Sequence, residues 1–397
     1  MKTLPELLAP AGNLEKLRIA FNFGADAVFV GGFVFGLRKY ADNFTLDDLQ
    51  TGIALANELS KHVYVVLNGF AHQDDIDALI PHLLDLERIM PHGLIISDMG
   101  VFQLAKRYTT IPLHVSTQAS VTHPSTCQMW ANAGAHRIIL AREVTLADCK
   151  EILKQVPIEL EVFVHGAMCA SYSGKCVISN YTAGRDSNRG GCIQSCRHGY
   201  WIEHDGDSVM HHIMNAKDLN ALRLIPDIID SGVCSLKIEG RMKSNLYVAN
   251  TVRAYRRALD AYVQFNGDRV AYDQYVSTLN DDLDLVSNRQ FSTGAMSQDM
   301  DDTSINAVFG HYEKGVDYIG TVKMVEPGEA IYVSIKAPFL IGDTLTLLQR
   351  TGERVPFVAN QVAHFTGETI SKINPNMLIR LPWVDNAHPL DVVYKAI

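Results

Sequence analysis

What the chain lacks narrows its chemistry first. No run approaches the roughly 18 apolar residues of a membrane-spanning helix, and the opening MKTLPELLAPAGN holds no apolar stretch of secretory-signal length. A cytoplasmic protein without membrane attachment is the expectation. In that compartment thiols stay reduced, so grouped cysteines point to metal or redox chemistry and not to disulfides. Neither G-x-S-x-G nor H-E-x-x-H occurs, which removes the serine-hydrolase elbow and the zinc-protease helix. A surplus of positive charge is missing too: 35 Lys and Arg stand against 44 Asp and Glu, a net charge of −9. A polyanionic partner must find a local basic patch.

What is present is a strand-then-helix rhythm. Short apolar runs rich in β-branched residues recur as ELLAPA (6–11), DAVFVG (26–31), HVYVVLN (62–68), GLIISD (93–98), PLHVST (112–117), RIILA (137–141), LEVFVHG (160–166) and SLKIEG (235–240). Helical patterns such as TLDDLQTGIALANEL and TLADCKEILKQV lie between them, several opening with Asn, Thr or Asp as N-caps. Near-continuous apolar strands alternating with amphipathic helices call for parallel strands buried on both faces. Eight such units predict an α/β protein of the TIM-like (β/α)8 class over residues 1–300, with an open doubly wound sheet as the alternative. In such a barrel the active site sits at the C-terminal strand ends. The polar residues expected there are Asn68, Asp98, Gln118, Arg142, Glu143, His165, Lys237 and Glu239.

Four of the seven cysteines fall in one stretch, CASYSGKCVISNYTAGRDSNRGGCIQSC, between the seventh and eighth strands. Cys169, Cys176, Cys192 and Cys196 are spaced C-x6-C-x15-C-x3-C inside an insertion spanning about 165–200, directly after His165. Four thiolates can bind a tetrahedral metal or an iron–sulfur cluster. Structural zinc favours tight cysteine knuckles, which only Cys192 and Cys196 approach, and wide gaps suit a cluster wrapped by loops. Zinc, or buried cysteines without a ligand, are the alternatives. Cys127 and Cys149 lie in helical patterns and read as small core residues, while Cys234 precedes the last barrel strand.

Several of these segments together carry a resemblance. ELEVFVHGAMCASYSGKCVIS, ELLAPAGNLEKLRIAFNFGADAVFVG, NRGGCIQSCR and SLKIEGRMKS, in that arrangement, are similar to the U32 peptidase family, the collagenase-like group, over about residues 5–260. Within that family the chain most resembles prephenate-dependent tRNA hydroxylases, which make 5-hydroxyuridine at the wobble position of the anticodon. The resemblance implies a 4Fe–4S cluster on Cys169, Cys176, Cys192 and Cys196, prephenate as co-substrate and tRNA as partner. The brief stretch EHDGDSV stands where close relatives carry a longer insertion, so ribosomal or another RNA stays open as the target. A cysteine protease needs one thiolate beside a base, and His165 lies four residues before Cys169. Three companion thiols are superfluous to that chemistry. A peptidase and an accessory protein with a structural cluster are the alternatives.

The implied ligands ask for particular side chains. A dicarboxylate such as prephenate is best held by arginine forks or backbone N–H groups. Arg142 and Arg241 are the candidates, with Gln118 and Asn68 beside them and Arg38 as an outlier. His165, Lys237 and Glu239 are the candidate catalytic residues, His165 because its charge changes near neutral pH. For the phosphates, the cysteine loop offers Lys175, Arg185, Arg189 and Arg197 against Asp186. Arg253, Arg256 and Arg257 share one helix face, either as a phosphate contact or as a solvated surface. After about residue 305 the pattern turns to alternating strands with Pro-Gly, Gly-Asp and Thr-Gly turns, predicting a small β-barrel over 305–397. Its Phe309, Tyr312, Tyr318, Tyr332 and Phe339 sit at strand spacing and read mostly as core.

Overall fold

The computed structural model describes residues 4–32, 43–297, 300–308, 310–368, 370 and 372–397. Eight parallel strands close on themselves: β1 (Glu6–Pro10), β2 (Ala27–Gly31), β3 (His62–Leu67), β4 (Gly93–Ile96), β5 (Leu113–Val115), β6 (Arg137–Ile139), β7 (Glu159–Gly166) and β8 (Ser235–Ile238). Closure is made by β8, which pairs in parallel with β1 on one side and with β7 on the other. The sequence supplies both halves of the reason. Each strand is a short, largely buried and mostly apolar run, and helices separate most of them in sequence and can cover the outer face. Thr45 and Thr145 open their helices with reciprocal capping boxes to Asp48 and Asp148, and Asp98 caps the helix Met99–Tyr108 by accepting from Val101 N–H. Strand and helix starts are therefore fixed locally before packing selects the barrel.

Inside the barrel, Leu8, Ala27, Phe29, Tyr64, Val66, Ile95, Ile139 and Phe163 form one buried cluster. Below them the core turns ionic. Glu161, fully buried, holds Lys237 at 2.7 Å, and Arg137 reaches Glu6 at 2.7 Å and Glu159 at 2.8 Å. Such charges tolerate burial only because each is paired. Burial alone would raise the Glu6 carboxyl, but His62, the Arg137 charge and the Tyr64 hydroxyl outweigh it and pull the pKa down to about 2.

The insertion after β7 is more than a loop. It carries a short helix (Ile178–Ala183), a two-stranded hairpin (Tyr200–His204 with Asp207–His211), and a strand (Asp218–Asn220) antiparallel to β7. The brief polar stretch EHDGDSV thus runs from one strand of that hairpin through its turn into the other.

The chain divides into two compact units. One takes in residues up to Leu17, Asp26–Met242 and Asn288–Tyr312; the other takes in Arg18–Ala25, Lys243–Ser287 and Glu313–Ile397. The second holds a seven-stranded antiparallel sheet around its own core, built from residues such as Ile319, Val333, Leu347, Ile379 and Val393. Two helices, Asn245–Phe265 and Arg269–Leu285, belong to this unit. Arg354, from the sheet, bridges them through Asn250 at 2.6 Å and Asp282 at 2.9 Å. Tyr332 and Phe339 are buried as expected of core residues, whereas Phe309 lies outside the described residues. No helix among the described residues is long and apolar enough to cross a membrane.

Candidate functional site

A cavity of about 160 Å³ opens at the C-terminal ends of the barrel strands. Its floor is apolar, from Phe29, Val66, Ile95, Ile139 and Phe163, and its wall is polar, from Asn68, Gln118, Arg142, Lys237, Glu239 and Arg241. The cysteine loop forms the remaining side: Cys169, Cys176, Cys192 and Cys196 all border this one space. None of them is in a disulfide.

The loop is held over the mouth by specific contacts. Arg189 pairs with Asp75 and donates to the Phe70 carbonyl, anchoring the loop to the segment after β3. Arg197 is buried and donates to the carbonyls of Met168 and Ala216 and to Asn215 at 2.8 Å. These two arginines, expected to face phosphates, are instead spent on fastening the loop. Ser173 N–H donates to Glu143 at 2.9 Å, and Gly174 packs so tightly that a Cβ there would lie 2.0 Å from the Gln118 carbonyl oxygen. Its φ of +74° is also one that favours glycine.

The thiols sense one another. Burial lifts the Cys196 thiol above its ordinary range; the Arg197 charge opposes, and the charges of Cys169, Cys192 and Cys176 add to the rise. Cys169 Sγ lies 3.5 Å from Arg142 Nη1. Among the described residues, no group of three or more His, Cys, Asp or Glu is close enough to hold a metal ion as placed. The other cysteines differ in kind. Burial pushes Cys127 up to about 11 and Cys149 up to about 12, as expected of inert core thiols. Cys234, also pushed up to about 12 by burial, donates to the Leu160 carbonyl at the opposite strand ends and does not border the cavity.

Arg142 stacks over the Phe163 ring at 4.2 Å, and its Nε is buried without a hydrogen-bond partner. Arg241 is 4% exposed and donates to Asn43 at 2.8 Å. It lies so close to the end of β2 that a Cβ on Gly31 would come within 2.3 Å of its guanidinium. Asn68 donates to Ser116 at 3.2 Å while its side-chain amide oxygen is buried and unpartnered. Lys237, in the wall, has the Phe29 ring at 4.6 Å from its ammonium and pairs with Glu161. Glu239 borders the cavity and is half-buried.

His165 departs from the expectation. It is 1% exposed, packs beside Phe291 and does not border the cavity. The strand Asp218–Asn220, which pairs with β7 at this position, covers it. The helix arginines also have other work: Arg253 donates to the Thr351 carbonyl, Arg256 pairs with Asp260, and Arg257 donates to Tyr275, so they are not a free basic face. Arg38 lies outside the described residues. Sequence reasoning overlooked Glu161 and Arg137, the ionic support beneath Lys237. Their signal was partly legible, since Glu161 interrupts the apolar run of its strand and Arg137 opens another.

Comparison with known proteins gives relatives over most of the chain. The chain is 37% identical to tRNA hydroxylation protein P1 of Bacillus subtilis (strain 168), over 98% of this chain and 91% of that one. It is 42% identical to tRNA hydroxylation protein P of Helicobacter pylori (strain J99), over 73% and 71% of the two chains. It is 32% identical to the 23S rRNA 5-hydroxycytidine C2501 synthase of Escherichia coli (strain K12), over 97% of this chain and 59% of that one. Residues 12–306, covering most of the barrel and the cysteine loop, match the model of peptidase family U32, and the chain belongs to that family.

Proposed function

We propose that this protein is an RNA-modifying enzyme that hydroxylates the wobble uridine of tRNA to 5-hydroxyuridine, with prephenate as co-substrate and a 4Fe–4S cluster on the cysteine loop. The observation that carries the reading is the shared cavity. Four free thiols and two arginines border one space at the strand ends where this fold places its chemistry. The names of the relatives supply the reaction class: two act in tRNA hydroxylation and one makes 5-hydroxycytidine in 23S rRNA.

The donor set fits a cluster better than a single ion. A tetrahedral zinc with bonds of about 2.3 Å draws its sulfurs to within about 3.8 Å of one another. The four thiols border one cavity without three of them closing on a single point, so a multi-iron cluster would suit them better than one zinc ion. Cys169, Cys176, Cys192 and Cys196 would hold it. When bound, it supplies one-electron redox or Lewis-acid chemistry beside the substrate.

The chain's own residues do the rest. Arg142 and Arg241 receive the carboxylates of the acid, and Phe29, Val66, Ile95, Ile139 and Phe163 take its ring. Lys237, fixed by Glu161, places positive charge in the cavity wall, and Glu239 is the carboxylate among the described lining residues to which a proton would move. A cysteine peptidase is disfavoured because no histidine is among the described residues bordering the cavity.

Nucleoside mass spectrometry of RNA from a deletion strain, with and without the gene restored, tests the proposal. Loss of 5-hydroxyuridine and its derivatives from tRNA, recovered on complementation, supports it. An unchanged tRNA profile with loss of a hydroxylated ribosomal cytidine would transfer the activity to the other RNA. An unchanged profile throughout would end it.

A further inference from the structure

Tyr172 is an anomaly in the site. It borders the cavity, yet it is 71% exposed. A single exposed aromatic is ordinary. What sets Tyr172 apart is the rigidity of the backbone that carries it. On its C-terminal side Ser173 N–H donates to Glu143, and the Ser173 hydroxyl accepts from Arg142 N–H at 3.1 Å. The Ser173 carbonyl accepts from the Ser120 hydroxyl. Gly174 lies against the Gln118 carbonyl, and Lys175 N–H closes a turn onto the Tyr172 carbonyl at 3.0 Å. The segment is thus nailed to the exits of β5 and β6, while the ring it presents is left to solvent. Lys175, three residues on in the same turn, is exposed.

A fixed aromatic face beside a cation, at the mouth of a cavity, is the arrangement that stacks an unpaired nucleobase and attracts its phosphate. An aromatic serving the small acid would instead be enclosed, as Phe29 and Phe163 are on the floor. We infer that Tyr172 is the stacking platform for the target pyrimidine of a single-stranded RNA loop, positioning the base over the cavity. The inference rests on the RNA-hydroxylase reading above and adds to it the residue that receives the base.

The test is fluorescence-anisotropy binding of an unmodified tRNA transcript carrying uridine at the wobble position, with wild type, Tyr172→Ala and Tyr172→Phe. Because the ring is exposed, all three should fold alike, as thermal melts would verify. Tyr172→Ala should bind about tenfold or more weakly, and Tyr172→Phe, which keeps the ring, should stay within about twofold of wild type. The KM for prephenate should not change. Equal binding by Tyr172→Ala and wild type overturns the inference. So does a loss that phenylalanine fails to restore, or an effect confined to the KM for prephenate. If wild type binds and hydroxylates the transcript while Tyr172→Ala matches it, the stacking role alone falls. If wild type neither binds nor hydroxylates RNA, both readings fall together.

Discussion

Gly174→Ala tests the loop's docking without touching a thiol or a cavity side chain. In the structure a Cβ at this position lies 2.0 Å from the Gln118 carbonyl oxygen, 2.7 Å from its carbon and 2.9 Å from its Cα. Ordinary contact between such atoms is about 3.5 Å, so the two backbones must part by roughly 1.5 Å. Neither side is a flexible side-chain end, and neither can yield cheaply. The left-handed φ of +74° adds about 1–2 kcal/mol for any residue with a Cβ. The barrel core, however, does not depend on the loop, so the variant should fold. What moves is the segment between Cys169 and Cys176, together with the Ser173 contacts to Arg142 and Glu143. A misplacement of about 1 Å can cost roughly 100-fold in rate. The expected outcome is a folded protein with near-native circular dichroism, lowered iron content after anaerobic purification and at least about tenfold lower hydroxylation. Wild-type iron and wild-type turnover in Gly174→Ala would refute the claim that loop docking shapes the site.

The remaining predictions concern charge. Glu6, held at about 2 when folded against 4.5 as its ordinary value, contributes stability that is present above about pH 4.5 and lost as pH falls toward 2. The shift is worth about 3 kcal/mol, so denaturant melts of wild type and Glu6→Gln should differ at pH 7 and converge near pH 2. Arg241→Lys removes the planar fork while keeping the charge, and should raise the KM for prephenate by about tenfold or more with little change in melting temperature. An unchanged KM would remove Arg241 from acid binding. Arg253→Ala should leave the salt dependence of tRNA binding unaltered, because that side chain is bonded to the Thr351 carbonyl. A shallower salt slope would restore the helix as a phosphate contact.

The barrel was legible because its strands are short, apolar and separated by capped helices, and all eight lie within two or three residues of their expected bounds. The cavity wall was legible in part, because polar residues that end apolar strands in this fold face the mouth: Asn68, Gln118, Arg142, Lys237, Glu239 and Arg241 all border it. His165 fits the same pattern and fails it, since the strand Asp218–Asn220 pairs back onto β7 and covers that end. No local signal announces such a long-range pairing. The partners of the basic residues were hidden for a related reason. Arg189, Arg197 and Arg253 look alike in sequence to solvent-facing cations, and only the fold reveals the carbonyls and carboxylates that each one serves. The grouping of the helices Asn245–Phe265 and Arg269–Leu285 with the C-terminal sheet depends on side chains such as Arg354, about 70 to 100 residues distant.

The account stands on a cofactor gripped by one loop, and iron and acid-labile sulfide analysis of anaerobically purified protein tests this most directly. Wild type should carry about four irons and four sulfides per chain. Cys169→Ala, Cys176→Ala, Cys192→Ala and Cys196→Ala should each lose most of them, while Cys127→Ala and Cys149→Ala, whose thiols are buried away from the cavity, should keep them. Iron-free wild type, or four loop variants that retain iron as well as the two controls do, would contradict it.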